Sequence, residues 1–487
     1  MAVPVDTFFL DPDTQGTLQA RIQQMIASAV LSGRLQSGEK LPSSRGLAKH
    51  LGVSRITVTL AYAELVASDY LKSRDRSGYY VSDTAPRPSA LLPATAGETA
   101  VDWPRMIGTR ISADTMLKKP LDWSSYKYPF IYGQPDPELL DHSSWRLCAI
   151  RALGQKDFAS LTADQYDADD PQLVTFIARH ILPRRGIAAR PEEILITMGA
   201  QNALWLSAQV LLTQRRTAVI ENPCYPALRG ILEQARCSLV EVPVDDAGIP
   251  PSKLPKDVDV IFTTPSHQCP TNGTMKLRRR KRLLAAAKAL GAVVVEDDYE
   301  FEMSFLKSPL PALKSLDQDG RVIYTGSFSK SIFPGTRLGY LVGPEPFIRE
   351  ARALRALVLR HPPGLMQRAV AHFLSLGHYD AQVTRMGRTL QARRSVMETA
   401  ISEHGLTIAG SGDFGGSSFW MRAPDGMDTE ELAAHLAPQG VLIEPGAAFF
   451  SQAHRQSEFY RLGYSSIPAT RIAEGIGMIA QAIRKLG

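Results

Sequence analysis

Five short apolar runs, each ending in a polar loop, set the strongest limit on how this chain can fold. They are Ile194-Leu195-Ile196-Thr197, Ala218-Val219-Ile220, Ile261-Phe262-Thr263-Thr264, Ala292-Val293-Val294-Val295 and Val322-Ile323-Tyr324-Thr325. Runs this short, and apolar throughout rather than at alternate positions, are the pattern of strands buried on both faces of a parallel sheet. Ligands of such sheets gather at the C-terminal strand edges. The polar segments that follow should therefore meet in space. They include Met198-Gly199-Ala200-Gln201, Glu221-Asn222-Pro223-Cys224-Tyr225, Pro265-Ser266-His267-Gln268-Cys269-Pro270, Glu296-Asp297-Asp298-Tyr299 and Ser327-Phe328-Ser329-Lys330, with Arg337 soon after.

An acid, a phenol, a hydroxyl-flanked lysine and an arginine at one sheet edge are the parts of a pyridoxal 5′-phosphate (PLP) site. PLP needs a lysine for its Schiff base and an acid to keep the pyridine nitrogen protonated. Lys330 and Asp297 fit those two roles. Tyr299 can hydrogen-bond the ring oxygen, while Ser327, Ser329 and Arg337 can bind the phosphate. The glycine turn before Ala200 opens a helix whose free N–H groups suit the same anion. Two prolines around Tyr225 fix a loop able to hold that ring flat against a cofactor. Ser327-Phe328-Ser329-Lys330 alone carries little weight, since a buried strand followed by a solvated lysine reads the same way. The coincidence of five such edges is what points to PLP.

The first eighty residues obey a different period. Leu18, Ile22, Met25, Ile26, Ala29 and Val30 recur at helical spacing. A second helix starts at Pro42-Ser43-Ser44-Arg45 with a serine cap, and puts Leu47, Ala48 and Leu51 inward. Gly52 makes a turn, and Ser54 caps a third helix that begins at Arg55. Helix, glycine turn and helix compose a helix-turn-helix, whose second helix enters the major groove by its N-terminal residues. Here those are Ser54, Arg55 and Thr57, which can donate to phosphates or base edges. Leu71-Lys72-Ser73-Arg74 and Tyr79-Tyr80-Val81 then form a hairpin, or wing, closing on Asp75-Arg76-Ser77-Gly78. Residues 15–81 hold nine Lys/Arg against four Asp/Glu, so +5 of the chain's net +6 resides there. That basic module suits nucleic acid; a small helical protein-interaction domain is the alternative.

These segments resemble the MocR/GabR subfamily of GntR-type transcription regulators. That family carries Thr-x-Gly-x-Gln, Glu-Asn-Pro-x-Tyr, Pro-Ser-His-Gln-x-Pro, Glu-Asp-Asp-Tyr, Ser-x-Ser-Lys and a late Arg-x-Gly-Phe/Tyr-Ser. This chain supplies every one, the last as Arg461-Leu462-Gly463-Tyr464-Ser465. The N-terminal match runs through Pro-Ser-Ser-Arg, Leu-Gly-Val-Ser-Arg-x-Thr-Val and Gly-Tyr-Tyr-Val. The resemblance implies an α/β fold: an N-terminal winged helix-turn-helix (12–82), a linker (83–114) and a PLP-dependent fold-type I aminotransferase-like domain (115–487) with a small C-terminal α+β subdomain. It implies Lys330 as the Schiff-base lysine, Asp297 on the pyridine nitrogen, Tyr299 on the ring oxygen and Tyr225 stacked on the ring. Ala200, Gln201, Ser327, Ser329 and Arg337 would surround the phosphate, and Arg461 would clamp a ligand carboxylate by its planar, bidentate guanidinium. Arg45 and Arg55 would grip phosphate or base edges, and Gly78 would let the wing approach the minor groove. Two departures stand out. Cys269 occupies the place where aminotransferases often set an asparagine against the ring oxygen, and Asn272 stands one place before Gly273 where glycine is expected. Ala227 also replaces an arginine expected of GABA-responsive relatives, which argues against GABA as the ligand.

The expected function is a PLP-dependent, ligand-responsive regulator that senses an amino compound by forming an external aldimine on the Lys330-bound cofactor. The rival is a genuine aminotransferase with an accessory DNA-binding domain. The expected partners are a double-stranded DNA operator, a small amino-compound effector and a second copy of the chain. No apolar run reaches the length of a membrane span, no cysteine spacing suggests a metal site, and the four scattered cysteines suit a reducing cytoplasm. Three finer expectations complete the reading. Residues 82–104 are too aperiodic to form an element, Arg278-Arg279-Arg280-Lys281-Arg282 reads as a solvated helix face, and Ser417–Met421 and Val441–Ile443 read as strands of the small subdomain.

Overall fold

A computed structural model describes residues 3–11, 15–74, 77–86, 101–108, 119–451 and 455–487. The chain divides into two compact units, Met1–Arg110 and Ile111–Gly487. Among the described residues no helix is long and apolar enough to cross a membrane.

In the first unit, α1 (Leu18–Leu31) buries Ile22, Ile26, Ala29 and Val30, the stripe its spacing predicts. In α2 (Ser44–Leu51) the Ser43 hydroxyl accepts from the Gly46 N–H at 3.1 Å, and Gly52 ends the helix in the left-handed region at φ 65°. Ser54 caps α3 (Arg55–Ala67) by accepting from the Ile56 N–H at 3.3 Å. Each such cap satisfies a backbone donor that the helix leaves free. Tyr62, fully buried on α3, donates its hydroxyl to the Pro42 carbonyl at 2.9 Å and so fixes α3 against the turn ahead of α2. The wing is an antiparallel pair, β1 (Leu71–Arg74) and β2 (Gly78–Val81), with Leu71 opposite Val81. Asp75 and Arg76 of the expected turn lie outside the described residues.

The second unit is built on a seven-stranded sheet. Its strands are β3 (Ile194–Thr197), β4 (Thr217–Asn222), β5 (Ser238–Pro243), β6 (Val260–Thr263), β7 (Val293–Asp297), β8 (Val322–Ser327) and β9 (Gly339–Val342), in the order β3-β9-β8-β7-β6-β4-β5. The five expected strands are all present. The run β8-β7-β6-β4-β5 pairs in parallel, whereas β9 pairs antiparallel with both β3 and β8. Every residue of β3, β4, β6, β8 and β9 is buried, which explains their unbroken apolar pattern. The edge strand β5 and the short β9 were not legible as strands. A smaller antiparallel sheet, β10 (Thr407–Ile408), β11 (Ser418–Arg422), β12 (Glu444–Pro445) and β13 (Phe459–Gly463), runs in the order β10-β11-β13-β12 and carries Arg461 on β13.

Three expectations need correction. Val441–Leu442 does not join the small sheet; it pairs in parallel with Tyr128–Pro129 in a separate two-stranded sheet. Of the segment 82–104, residues 87–100 lie outside the described residues, and its end is not without structure, because a helical turn, Trp103–Met106, closes on the Asp102 side chain. The basic run heading the helix Leu277–Leu290 is not a uniformly solvated face. Arg280 is fully buried and donates to the carbonyls of Met275, Pro311 and Pro265 at 2.8–3.0 Å. A guanidinium with its donors filled by carbonyls, 3.7 Å from the buried Glu296, can stay charged inside the protein.

Candidate functional site

One cavity of about 380 Å³ lies at the C-terminal strand edges of the large sheet. Ala200, Gln201, Tyr225, Asp297, Tyr299, Ser327, Ser329, Lys330, Arg337 and Arg461 all line it. The ten residues assigned to cofactor and ligand thus come from six separate stretches of chain and meet at one place.

The acidic run at the end of β7 shows how one strand serves two purposes. Side chains alternate between the faces of a sheet, so Glu296 and Asp298 are separated from Asp297. Glu296 accepts from the Leu313 and Lys314 N–H groups at 2.8 and 2.9 Å. Asp298 is held by Arg185 Nε at 2.6 Å and by the Tyr324 hydroxyl at 2.8 Å. Burial pushes the Asp298 carboxyl up, but the Arg185 cation, the Ser266 and Tyr324 hydrogen bonds and Arg280 together outweigh it and leave the group below its ordinary range. Asp297 has no such counterweight. Its Oδ1 is buried without a hydrogen-bond partner, and burial, aided by the charges of Asp298 and Glu221, pushes its carboxyl up to about 8. An unpartnered buried carboxylate oxygen is costly unless something supplies a donor. A protonated pyridine nitrogen is such a donor, so this chain's residues fit PLP.

At the opposite end the chemistry suits a phosphate. Gly199, at φ 83°, turns the chain into the helix Ala200–Leu211, whose first N–H groups border the cavity. Arg337 donates to the Met198 carbonyl at 3.2 Å and remains exposed. The Tyr225 hydroxyl donates to Gln201 Oε1 at 3.3 Å, which ties the two loops that flank this end.

The ligand end is organised around Tyr132, a residue the sequence reading did not single out. The Lys330 ammonium and the Arg461 guanidinium each sit 4.1 Å from its ring centre. Its carbonyl accepts a hydrogen bond from Lys119. Arg461 Nε pairs with Glu444 at 2.8 Å, and Lys119 reaches the other Glu444 oxygen at 3.1 Å. Burial lowers the Lys330 amine to about 8, with the Lys119 and Arg461 cations helping and Glu300 opposing. A desolvated lysine beside other cations is a stronger nucleophile near neutral pH than a solvated one. Gly133, at φ 79°, leaves room for the Lys330 amine here, since a Cβ on it would lie 2.5 Å from Lys330 Nζ and force that amine to shift. No local motif marks Lys119 or Glu444.

The departures also have structural answers. Cys269 lines the cavity as a neutral thiol, raised to about 12 by burial. Asn272 adopts φ 60°, the conformation a glycine would take, and donates its amide to the Ser418 carbonyl at 2.7 Å. The loop keeps its shape and gains a tie to the small sheet. Ala227 is buried and forms an apolar part of the cavity wall.

On the first unit Arg45, Ser54 and Arg55 are exposed, Thr57 is half-buried, and Gly78 at the wing has φ 108°. Ile56, absent from the sequence reading, stands 70% exposed among them. Its residue type gave no donor to notice.

The fold and cavity define a PLP-dependent, fold-type I aminotransferase-like domain in a chain that also carries a winged helix-turn-helix. Family models agree with this division: Bacterial regulatory proteins, gntR family, matches residues 18–81, and Aminotransferase class I and II matches residues 139–479. The chain is 57% identical over 484 residues, 99% of its length and all of the relative's, to the HTH-type transcriptional regulator TauR of Rhodobacter capsulatus. It is 29% identical over 482 residues, 98% of this chain and 96% of the relative, to the probable rhizopine catabolism regulatory protein MocR of Rhizobium meliloti. Among solved structures, the α-aminoadipate aminotransferase of Thermus thermophilus, complexed with N-(5′-phosphopyridoxyl)-L-leucine, superposes with a TM-score of 0.67 at 30% identity, covering 73% of this chain and 92% of that one. The chain belongs to the MocR/GabR subfamily of GntR-type transcription regulators, and its cofactor is PLP.

Proposed function

We propose that this regulator senses a small amino compound in the Lys330 cavity and converts its binding into a change in operator affinity. The observation that carries the reading is the pairing of an unpartnered Asp297 and a half-buried, activated Lys330 with a cationic pole at Arg461, in a chain that also carries a basic winged helix. PLP supplies an electrophilic carbon able to form a Schiff base with an amine. The chain's own residues do the rest. Asp297 holds the pyridine nitrogen's proton, Tyr299 and Tyr225 border the ring, and Ala200, Gln201, Ser327, Ser329 and Arg337 hold the phosphate. Lys330 would be the amine that holds the cofactor in the absence of ligand, and Arg461 would hold the ligand's anionic group. A ligand can shift the regulator only to the extent that it binds two arrangements unequally.

In this reading the winged helix spans 12–82, the linker 83–114 and the sensor 115–487. Arg45, Ser54, Arg55 and Thr57 contact the operator, with Gly78 at the wing. The working form is a cytoplasmic homodimer reading paired half-sites. Leu147 and Ile150, three residues apart on the helix His142–Ala152, are more than half exposed, as is Phe158 just beyond, and such an apolar patch suits a second copy.

The test is an absorbance titration of the cofactor-loaded chain with amines and amino acids. Each compound is also scored for operator affinity and for turnover with an α-keto acid. A compound that shifts the cofactor band and operator affinity without sustained turnover supports the sensor. Rapid multiple turnover with unchanged DNA binding would instead make the protein an aminotransferase, the second reading that the complete Lys330–Asp297 pair allows.

A further inference from the structure

Arg461 does not face the cavity as a free cation. Its Nε is paired with Glu444, a buried carboxylate held behind the cavity wall by Arg461 and Lys119, which do line the cavity. Left to themselves, the two would cancel, and Glu444 would repel the anion that Arg461 is meant to hold. The structure places a second cation on the same carboxylate. Lys119 Nζ lies 3.1 Å from Glu444 Oε1, its side chain is only one-quarter exposed, it donates to the Tyr132 carbonyl, and it lines the cavity. Two cations on one carboxylate leave a net positive charge.

We infer that Lys119 is a specificity-determining residue of the sensor: it neutralises Glu444 so that the Arg461 guanidinium remains available to a ligand's anionic group. The inference rests on the sensing role proposed for this cavity and names the residue that keeps its anion subsite open. The titration behaviour of the group agrees. Burial raises the Glu444 carboxyl, yet Arg461 and Lys119 together outweigh burial and leave it below its ordinary value. Lys119 in turn is lowered by burial and by Arg461, with Glu444 opposing. The groups facing Glu444 therefore include cations from two elements far apart in sequence, Lys119 ahead of the large sheet and Arg461 on β13.

The experiment uses the cofactor-loaded full chain and a matched panel of two- to four-carbon amino acids and alkylamines, with dissociation constants read by calorimetry. Lys119→Gln should weaken amino-acid binding at least about ten-fold while leaving alkylamines unchanged or tighter. Lys119→Arg should retain amino-acid binding. Glu444→Gln placed in the Lys119→Gln background should restore it, because removing the carboxylate removes the need for its partner. That rescue is a signature that simple structural damage would not give. Unchanged amino-acid affinity in Lys119→Gln, or a loss that Glu444→Gln does not repair, overturns the inference. If the Lys119 pattern appears but no bound compound alters operator affinity, the inference stands and the sensing reading falls.

Discussion

Lys330 and Arg461 approach the ring of one residue, Tyr132, to the same distance, 4.1 Å. The lysine proposed to carry the cofactor and the arginine proposed to receive the ligand's far end are thus gauged from a single aromatic plane. A cation over a desolvated ring gains up to ~2 kcal/mol. Tyr132→Phe keeps the ring and should bind ligand nearly as the parent does. Tyr132→Ala loses both contacts and should weaken binding roughly ten-fold or more. Calorimetric titration of both variants decides the matter: equal losses would assign the role to the hydroxyl instead.

Asp297 makes the cofactor-free protein pH-sensitive. The unfolded carboxyl releases its proton near ~3.9, whereas the folded one holds it up to about 8. Between those values the folded state binds more protons than the unfolded, so stability falls as pH rises through that window. Asp297→Asn should flatten this slope and stabilise the cofactor-free chain by ~1–3 kcal/mol above pH 8, while sharply weakening PLP retention. Denaturant melts at pH 5 and pH 9 check it; a parallel slope in the variant would place the titrating group elsewhere.

Gly133→Ala should abolish cofactor loading in a chain that still folds. The position has φ 79°, and the new methyl would lie 2.5 Å from the Lys330 amine. Circular dichroism should match the parent, while the visible band of the lysine-bound cofactor disappears. A variant that loads normally would mean that the Lys330 side chain has room to retreat.

On the DNA side, Arg45→Ala and Arg55→Ala separate two kinds of contact. Loss of a phosphate contact lowers affinity evenly across sequences and reduces the salt slope by about one. Loss of a base contact relaxes specificity at one position by ~1–3 kcal/mol. Ile56, exposed beside Arg55, suits a thymine methyl. Ile56→Ala should lose its effect once the contacted thymine is replaced by deoxyuridine.

The legible part of this molecule was whatever a local period or a short motif encodes. Arg461 came from a family resemblance, whereas the five buried strands, the serine caps at Ser43 and Ser54, and the strand-edge residues Asp297, Tyr299, Ser327, Ser329 and Lys330 could be read from local pattern. Lys119 and Glu444 could not, because their role exists only where distant segments meet over Tyr132, and neither sits in a periodic run. Arg280 was misread for a related reason. A run of five basic residues looks solvated until the buried Glu296 and three facing carbonyls are in place to receive one of them. The pairing of Val441–Leu442 with Tyr128–Pro129 involves two residues on each side, too few for any period to register.

The end of β7 has a consequence for how this protein can change. Substitutions at Glu296, Asp297 or Asp298 have graded effects, but a one-residue deletion within Val293–Val295 would turn every following side chain to the opposite face. The arginine-held carboxylate would then point into the cavity, and the unpaired one would take the place of Glu296 against the Leu313 and Lys314 N–H groups. The strand behaves as a reading frame for charge, so variation in chain length is tolerable in the loops around it and forbidden inside it.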